Sequence, residues 1–430
     1  MDMNNETQLE KVLLIGLNYF KPKRMLSAQA SLEELEHLTK TAGGIVAEKI
    51  LINREAPHPG HYLGKGKIDE INEIVADKDI DLIIIDDELS IRQQLNLDQK
   101  IQCRVIDRSA LILQIFADRA KTREGKLQIE CAQLSYLMPR LSGKGKEMSR
   151  LGGGIGTRGP GESQLEKDRR QIRHHIESLQ SEIESIRKQR NVTRSHREKM
   201  ELPVLSLVGY TNAGKSTLLN ALTASAVTAE DKLFATLDPS TRRLDLNGTE
   251  ALLTDTVGFI QQLPHSLVTA FRATLEEASF SDLLIHVIDA SHPDMESQIK
   301  TVHKVLEEIG CQEKPIVHVF NKIDQVADPI ELQQSLSRYS PAVLISAKTG
   351  NGLDTLKKVL LENLPKPPRK VTFRIPAAEG HIINLLYEAG SVISIDYGPE
   401  EIIGEAFLPE LTIQKLSKYI QTKSMGCPSL

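Results

Sequence analysis

One octet constrains the fold of this chain more than any other feature. Gly209-Tyr210-Thr211-Asn212-Ala213-Gly214-Lys215-Ser216 follows the apolar run Val204–Val208 and precedes a helical run, Thr217–Leu222. The pattern G-x-x-x-x-G-K-[ST] between a buried strand and a helix is a P-loop, which commits the surrounding residues to a parallel α/β sheet. Its glycines let successive backbone N–H groups turn toward phosphate oxygens, and the helix N-terminus adds positive potential. Lys215 is expected to reach the β- and γ-phosphates, and Ser216 to bind Mg²⁺ through its hydroxyl.

Later motifs choose the base. Leu252–Leu253 leads into Asp255-Thr256-Val257-Gly258, a D-x-x-G element whose aspartate holds the Mg²⁺ shell and whose glycine N–H meets the γ-phosphate. The apolar run Ile316–Phe320 ends in Asn321-Lys322-Ile323-Asp324. A buried Asp324 carboxylate would accept two hydrogen bonds from guanine N1–H and its 2-amino group, a donor pair that adenine lacks. Lys322 can lay its stem over the base. Ser346-Ala347-Lys348 ends another strand, which is expected to bring the Ala347 N–H near guanine O6. In this order, each at a strand's C-terminal end, the motifs predict GTP binding. The turn Asn247-Gly248, between Arg242–Leu246 and Ala251–Leu253, predicts the antiparallel hairpin that GTPase domains place here.

The switch loop belongs between the P-loop helix and that hairpin. Phe234-Ala235-Thr236-Leu237-Asp238 supplies the preferred threonine for Mg²⁺, Thr236, with Thr241 the second choice. Catalytic roles therefore fall to Lys215, Thr236 and Gly258. The residue after D-x-x-G is Phe259, where Ras-like GTPases carry a water-orienting glutamine. An apolar side chain cannot orient water, so intrinsic hydrolysis is expected to be slow until a partner completes the site. Gln261 and Gln262 are close in sequence, but the sequence does not place them. Asn212 reads either as an asparagine that recruits K⁺ or as a plain loop-stabilising residue.

At 430 residues the chain has room for about three domains. Residues 1–108 alternate short apolar runs (Lys11–Leu17, Gly44–Ile52, Asp81–Asp86, Gln102–Asp107) with helical segments and read as a parallel α/β domain. Ser31 and Glu34 have capping-box spacing there. Residues 109–200 read as two helices. The first covers 109–141 with a break near Gly125. The second covers 163–190 with a seam of Leu165, Ile172, Ile176, Leu179, Ile183 and Ile186, so the pair is expected to pack antiparallel. Residues 201–365 form the GTPase domain. After a proline-rich linker, residues 371–430 form a small C-terminal α/β domain. Its expected strands are Val371–Ile375, Ser391–Tyr397 and Glu401–Phe407, with helices at Ala377–Glu388 and Pro409–Ile420.

Net charge is -5, which argues against a nucleic-acid partner until it is divided. Residues 119–200 hold 19 Lys and Arg against 10 Asp and Glu, a local +9, and the remainder carries -14. Between the two helices, residues 143–161 hold eight glycines together with Lys144, Lys146, Arg150 and Arg158. This loop reads either as a flexible connector or as an RNA-binding element that an anionic partner orders. His174, His175 and His196 read as residues of a basic surface. Four scattered cysteines without a CxxC pair exclude a zinc ribbon and suit a reducing compartment. The short apolar runs and the lack of a signal segment predict a cytoplasmic protein with no stable membrane insertion.

These residues together resemble the HflX family of ribosome-associated GTPases. The resemblance rests on the domain order, on Leu151–Glu162 with its dense glycines, on Phe234–Arg242, and on the apolar residue after D-x-x-G. It implies GTP and GDP as ligands, Mg²⁺ as cofactor, and the large ribosomal subunit with its rRNA as partner. It further implies splitting or rescue of stalled ribosomes under stress, hydrolysis stimulated by the ribosome, and a monomer away from it. Some family members use ATP through the N-terminal domain, but Gly64-Lys65-Gly66-Lys67 is too short to be a nucleotide motif and receives no site. A GTP-dependent RNA-modification or ribosome-assembly factor is the alternative. The modification reading needs a second catalytic centre, for which no residue constellation stands out. A membrane-linked signalling GTPase is disfavoured by Cys427-Pro428-Ser429-Leu430, which departs from the lipidation pattern.

Overall fold

The computed structural model describes residues 9–19, 27–141, 164–198, 202–223, 234, 240–260, 278–326, 332, 336–364, 369–408 and 410–421. The chain divides into two compact units, Met1–Leu361 and Glu362–Leu430.

The first unit opens with a four-stranded parallel sheet, order β2-β1-β3-β4. Its strands are β1 (Lys11–Asn18), β2 (Ile45–Asn53), β3 (Leu82–Ile85) and β4 (Arg104–Asp107). Leu13, Leu14 and Ile15 of β1 and Ile83, Ile84 and Ile85 of β3 are fully buried, as expected of central strands covered on both faces. Helices α1 (Ala28–Thr41), α2 (Lys65–Lys78) and α3 (Ile91–Lys100) make the crossovers.

The capping box at Ser31 and Glu34 is a correction. Helix α1 starts one turn earlier, and the Ser27 hydroxyl accepts from Ala30 N at 3.1 Å. That shift buries Ser31 and turns Glu34 to a different task. A capping box does form at Ser90 and Gln93.

The first long helix is broken as expected, but at a different place. Helix α4 (Arg108–Arg119) ends at Ala120, and α5 (Arg123–Arg140) starts after Thr122, whose hydroxyl accepts from Gly125 N at 3.0 Å. Gly125 therefore lies inside the new first turn. The helix Gln164–Glu198 runs antiparallel to α5: His175 meets Glu130 at 2.9 Å, and Arg123 meets Glu182 at 3.1 Å. Ile176 and Leu179 of the seam are buried between them. Asp107 ties this pair to the first sheet. It caps α4 at Ala110 N (2.8 Å) and accepts from the Tyr136 hydroxyl at 2.8 Å. Arg140 pairs with it at 3.3 Å. The loop carrying Lys144, Lys146, Arg150 and Arg158 lies outside the described residues.

The second sheet has six strands in the order β10-β9-β8-β5-β7-β6. They are β5 (Val204–Gly209), β6 (Ser240–Leu246), β7 (Thr249–Asp255), β8 (Leu283–Asp289), β9 (Ile316–Asn321) and β10 (Ala342–Leu344). All pairings are parallel except β6 with β7. The β6–β7 hairpin turns at Asn247 and Gly248 with φ of +54° and +94°, the conformation that an Asn-Gly pair favours.

The second unit is an antiparallel sheet, order β12-β13-β11-β14. Its strands are β11 (Arg369–Pro376), β12 (Ser391–Tyr397), β13 (Glu401–Leu408) and β14 (Ile420–Gln421). Both helices here are shorter than expected. Ala377–Glu379 is a separate 3-10 turn before the helix Ile382–Ala389, and Glu410–Lys415 ends before β14. Among the described residues no helix is long and apolar enough to cross a membrane.

Candidate nucleotide site

The P-loop leaves β5 at Gly209 and enters the helix Lys215–Thr223. Gly214 has φ +93°, and a Cβ there would lie 2.3 Å from Asn321 Nδ2. Only glycine lets these two elements approach so closely. Asn321 stitches three motifs together. Its Nδ2 donates to Ala213 O at 2.9 Å, and its Oδ1 accepts from Ala347 N at 2.9 Å. The Ala347 N–H, expected near guanine O6, donates to Asn321 in this structure.

The Lys215 ammonium donates to the carbonyls of Gly209 and Tyr210 at 3.0 and 2.8 Å. It also lies beside Gly258, where an added Cβ would sit 2.9 Å from Nζ. The P-loop lysine and the D-x-x-G glycine thus share one small volume. Burial pulls the Lys215 pKa down to about 8, and Asp255 opposes that pull. The charged form dominates below that value and is lost above it. An anionic triphosphate favours the charged form, so nucleotide binding should take up a proton at alkaline pH. GTP affinity is expected to be level up to about pH 8 and to fall as much as ~10-fold per pH unit above it. Calorimetry in buffers of different ionisation enthalpy checks this; pH-independent affinity up to pH 9.5 would contradict it.

Ser216 Oγ donates to Asp255 Oδ2 at 2.8 Å, and Asp255 is fully buried. A hydroxyl and a buried carboxylate in contact are hard oxygen donors, the set that Mg²⁺ takes alongside nucleotide phosphates. The residues present fit that ion, which would neutralise phosphate charge there. Thr241 lies in β6, bound to Thr254 at 3.0 Å. Ala235, Thr236, Leu237 and Asp238 lie outside the described residues, as do Gln261 and Gln262.

Thr256 serves the framework: its hydroxyl donates to Leu207 O at 2.6 Å. Phe259 is stitched to the P-loop through the backbone. Its N–H donates to Gly209 O at 3.0 Å, and its carbonyl accepts from Thr211 N at 2.7 Å. The Phe259 side chain is 1% exposed, in one apolar cluster with Tyr210 and Phe234. The position of the missing glutamine therefore points into the core.

At the base end, Lys322 has φ +66° and pairs with Asp289 at 2.7 Å. Asp324 is exposed, which corrects the expectation of a buried carboxylate. It is oriented instead. Ser346 is buried, and its hydroxyl accepts from Thr349 N at 3.2 Å and donates to Asp324. That hydrogen bond, with Lys348 and Lys322 nearby, holds the Asp324 pKa below its usual value, against its partial desolvation.

Two links to the first sheet have no sequence signature. The Tyr210 hydroxyl donates to Glu34, and Glu34 also pairs with Arg108. Arg108 Nη1 reaches Asp86 at 2.7 Å, and both side chains are buried. Burial works against charge on Arg108, but Glu34 and Asp86 more than offset it and raise its pKa. Burial pushes the Glu34 carboxyl up, against the pull of Arg108 and Tyr210. Phe234, with φ +57°, sets its ring edge-on to Phe116 of α4, with centroids 4.5 Å apart.

Three family models cover most of this architecture. Residues 29–117 match "GTP-binding GTPase N-terminal", 119–197 "GTP-binding GTPase Middle Region", and 204–322 "50S ribosome-binding GTPase". A GTPase HflX of Lacrimispora saccharolytica is 48% identical over 402 residues, 93% of this chain and 94% of that protein. The chain belongs to the HflX family. A second HflX, from Caldanaerobacter subterraneus, is 47% identical over 375 residues, covering 87% of this chain and 86% of its own. Among solved structures, a GTP-binding protein of Sulfolobus solfataricus in complex with GDP is 27% identical. That match has a TM-score of 0.44 and covers 82% of this chain and 98% of that one. As an HflX GTPase with a P-loop domain, the chain binds and hydrolyses GTP.

Proposed function

We propose that this HflX protein engages the large ribosomal subunit in its GTP state and releases it after hydrolysis, splitting or rescuing stalled ribosomes. The observation that carries this reading is the match of residues 204–322 to a family described as 50S ribosome-binding GTPases. Two features support it. Phe259 is buried, so a water-orienting group must come from elsewhere, and a bound partner supplies it. The +9 of residues 119–200 offers phosphate contacts to rRNA, centred on Lys144, Lys146, Arg150 and Arg158. In this reading Ser216 and Thr236 bind Mg²⁺ with Asp255 behind them. Lys215, Thr236 and Gly258 stabilise the transferring phosphoryl group, and Asp324 reads guanine. Asn212 either recruits K⁺ or only shapes the loop. The segments 1–108, 109–200, 201–365 and 371–430 act as its working parts, in a cytoplasmic protein that is monomeric away from the ribosome.

Co-sedimentation with ribosomal subunits tests the proposal. Binding to the large subunit is expected with a non-hydrolysable GTP analogue, weaker binding with GDP, and a loss of affinity as salt rises. Indifference to both nucleotide and salt would overturn it.

A further inference from the structure

Three histidines from three elements meet on one face of the nucleotide-binding sheet. His286 of β8 and His318 of β9 are direct register partners, so parallel pairing sets them side by side. The helix Met295–Glu308 brings His303 to the same place. The three ring centroids are 5.4, 5.5 and 5.6 Å apart, and Nε2 of His303 lies 3.5 Å from Nε2 of His318. One nitrogen from each ring lies within 4.8 Å of the other two.

Packing alone gives a poor account of this arrangement. His286 is 1% exposed, and its Nδ1 has no hydrogen-bond partner among the described residues. A buried polar atom left unpaired costs on the order of 1–3 kcal/mol. Burial pushes the pKa of all three rings down. It takes His286 well below the usual histidine value and, with His303, takes His318 to about 4, against the backbone carbonyls of Pro341 and Tyr339. The rings are therefore neutral near pH 7, and each keeps a lone pair.

We propose that His286, His303 and His318 form a binding site for a divalent transition metal of the zinc class. Neutral imidazole is a borderline-soft donor that suits zinc and its neighbours and disfavours Mg²⁺. Zinc bound to imidazole at 2.0–2.1 Å sets tetrahedral nitrogens roughly 3.4 Å apart, the separation already present between His303 and His318. Small ring rotations bring in the third nitrogen. Two ligands are buried and His303 is exposed, which gives the ion an entry path and leaves its fourth position to water or an exogenous ligand. The ion would clamp the helix to β8 and β9, the strands that carry Asp289 and Asn321 toward the base end.

The test uses the untagged full-length protein, freed of nucleotide, stripped with a chelator and titrated with Zn²⁺ alone. One equivalent is expected by elemental analysis, with a rise in thermal midpoint. Cobalt(II) in its place is expected to give the visible absorption of tetrahedral imidazole coordination. His303→Asn changes an exposed residue and should keep the metal-free thermal midpoint while weakening zinc at least ~100-fold. Ser216→Ala, which alters the Mg²⁺ site, should retain the zinc equivalent. Zinc bound equally well by His303→Asn would overturn the proposal, as would no zinc bound at tens of micromolar.

Discussion

Replacing Arg108 by methionine is expected to remove about 3–5 kcal/mol of stability at neutral pH. The variant keeps the volume and deletes the cation that Glu34 and Asp86 share. Two carboxylates then face each other in a buried site, and the cost is their unpaired charge rather than the lost contact. The pH dependence follows from the direction of the Glu34 shift. Its folded pKa is already raised above the usual 4.5, and loss of Arg108 raises it further. A raised carboxyl pKa favours the folded state at low pH and loses that contribution as pH rises through the folded value. The deficit of Arg108→Met should therefore be largest near pH 7 and shrink as pH falls toward 4.5. Urea unfolding across that range measures it; a deficit that grew on acidification would contradict the charge assignment. The damage should reach the P-loop as well, because the Tyr210 hydroxyl shares Glu34 with Arg108.

Exchange of Asp324 for asparagine is expected to lower GTP affinity roughly 100-fold or more, since two hydrogen bonds to an ionised acceptor are lost or reversed. The new amide can donate to a carbonyl at C2 of the base, so xanthosine triphosphate should gain what GTP loses. The buried hydroxyl of Ser346 sets the direction of the carboxylate that meets the base. Paired titrations with the two nucleotides decide it. Unchanged GTP affinity would sink the base-reading role.

The motifs were legible because each is local. The P-loop, D-x-x-G and Asn321–Asp324 carry their geometry in adjacent residues, and the strand–loop–helix context follows from hydrophobic pattern. Long-range partners were not legible. Glu34 has the spacing of a capping residue, yet it joins Arg108, 74 residues away, and Tyr210, 176 residues away. Nothing in the local pattern of any one of them marks the network. Asp324 is exposed and is oriented by Ser346, which the Asn321–Asp324 motif alone does not show. The histidine cluster was hidden for a similar reason. His286 and His318 become neighbours only through strand register, which spacing along the chain does not reveal.

The edge-on contact of Phe116 with Phe234 has a consequence for inheritance. Severing the chain ahead of residue 202 would leave the nucleotide-binding half with an apolar scar, including Phe234, and with a tyrosine stripped of its carboxylate. The two halves of the first unit are thus poor candidates for shuffling. A descendant that dropped the N-terminal sheet would have to resurface that scar before it could live as a free-standing switch.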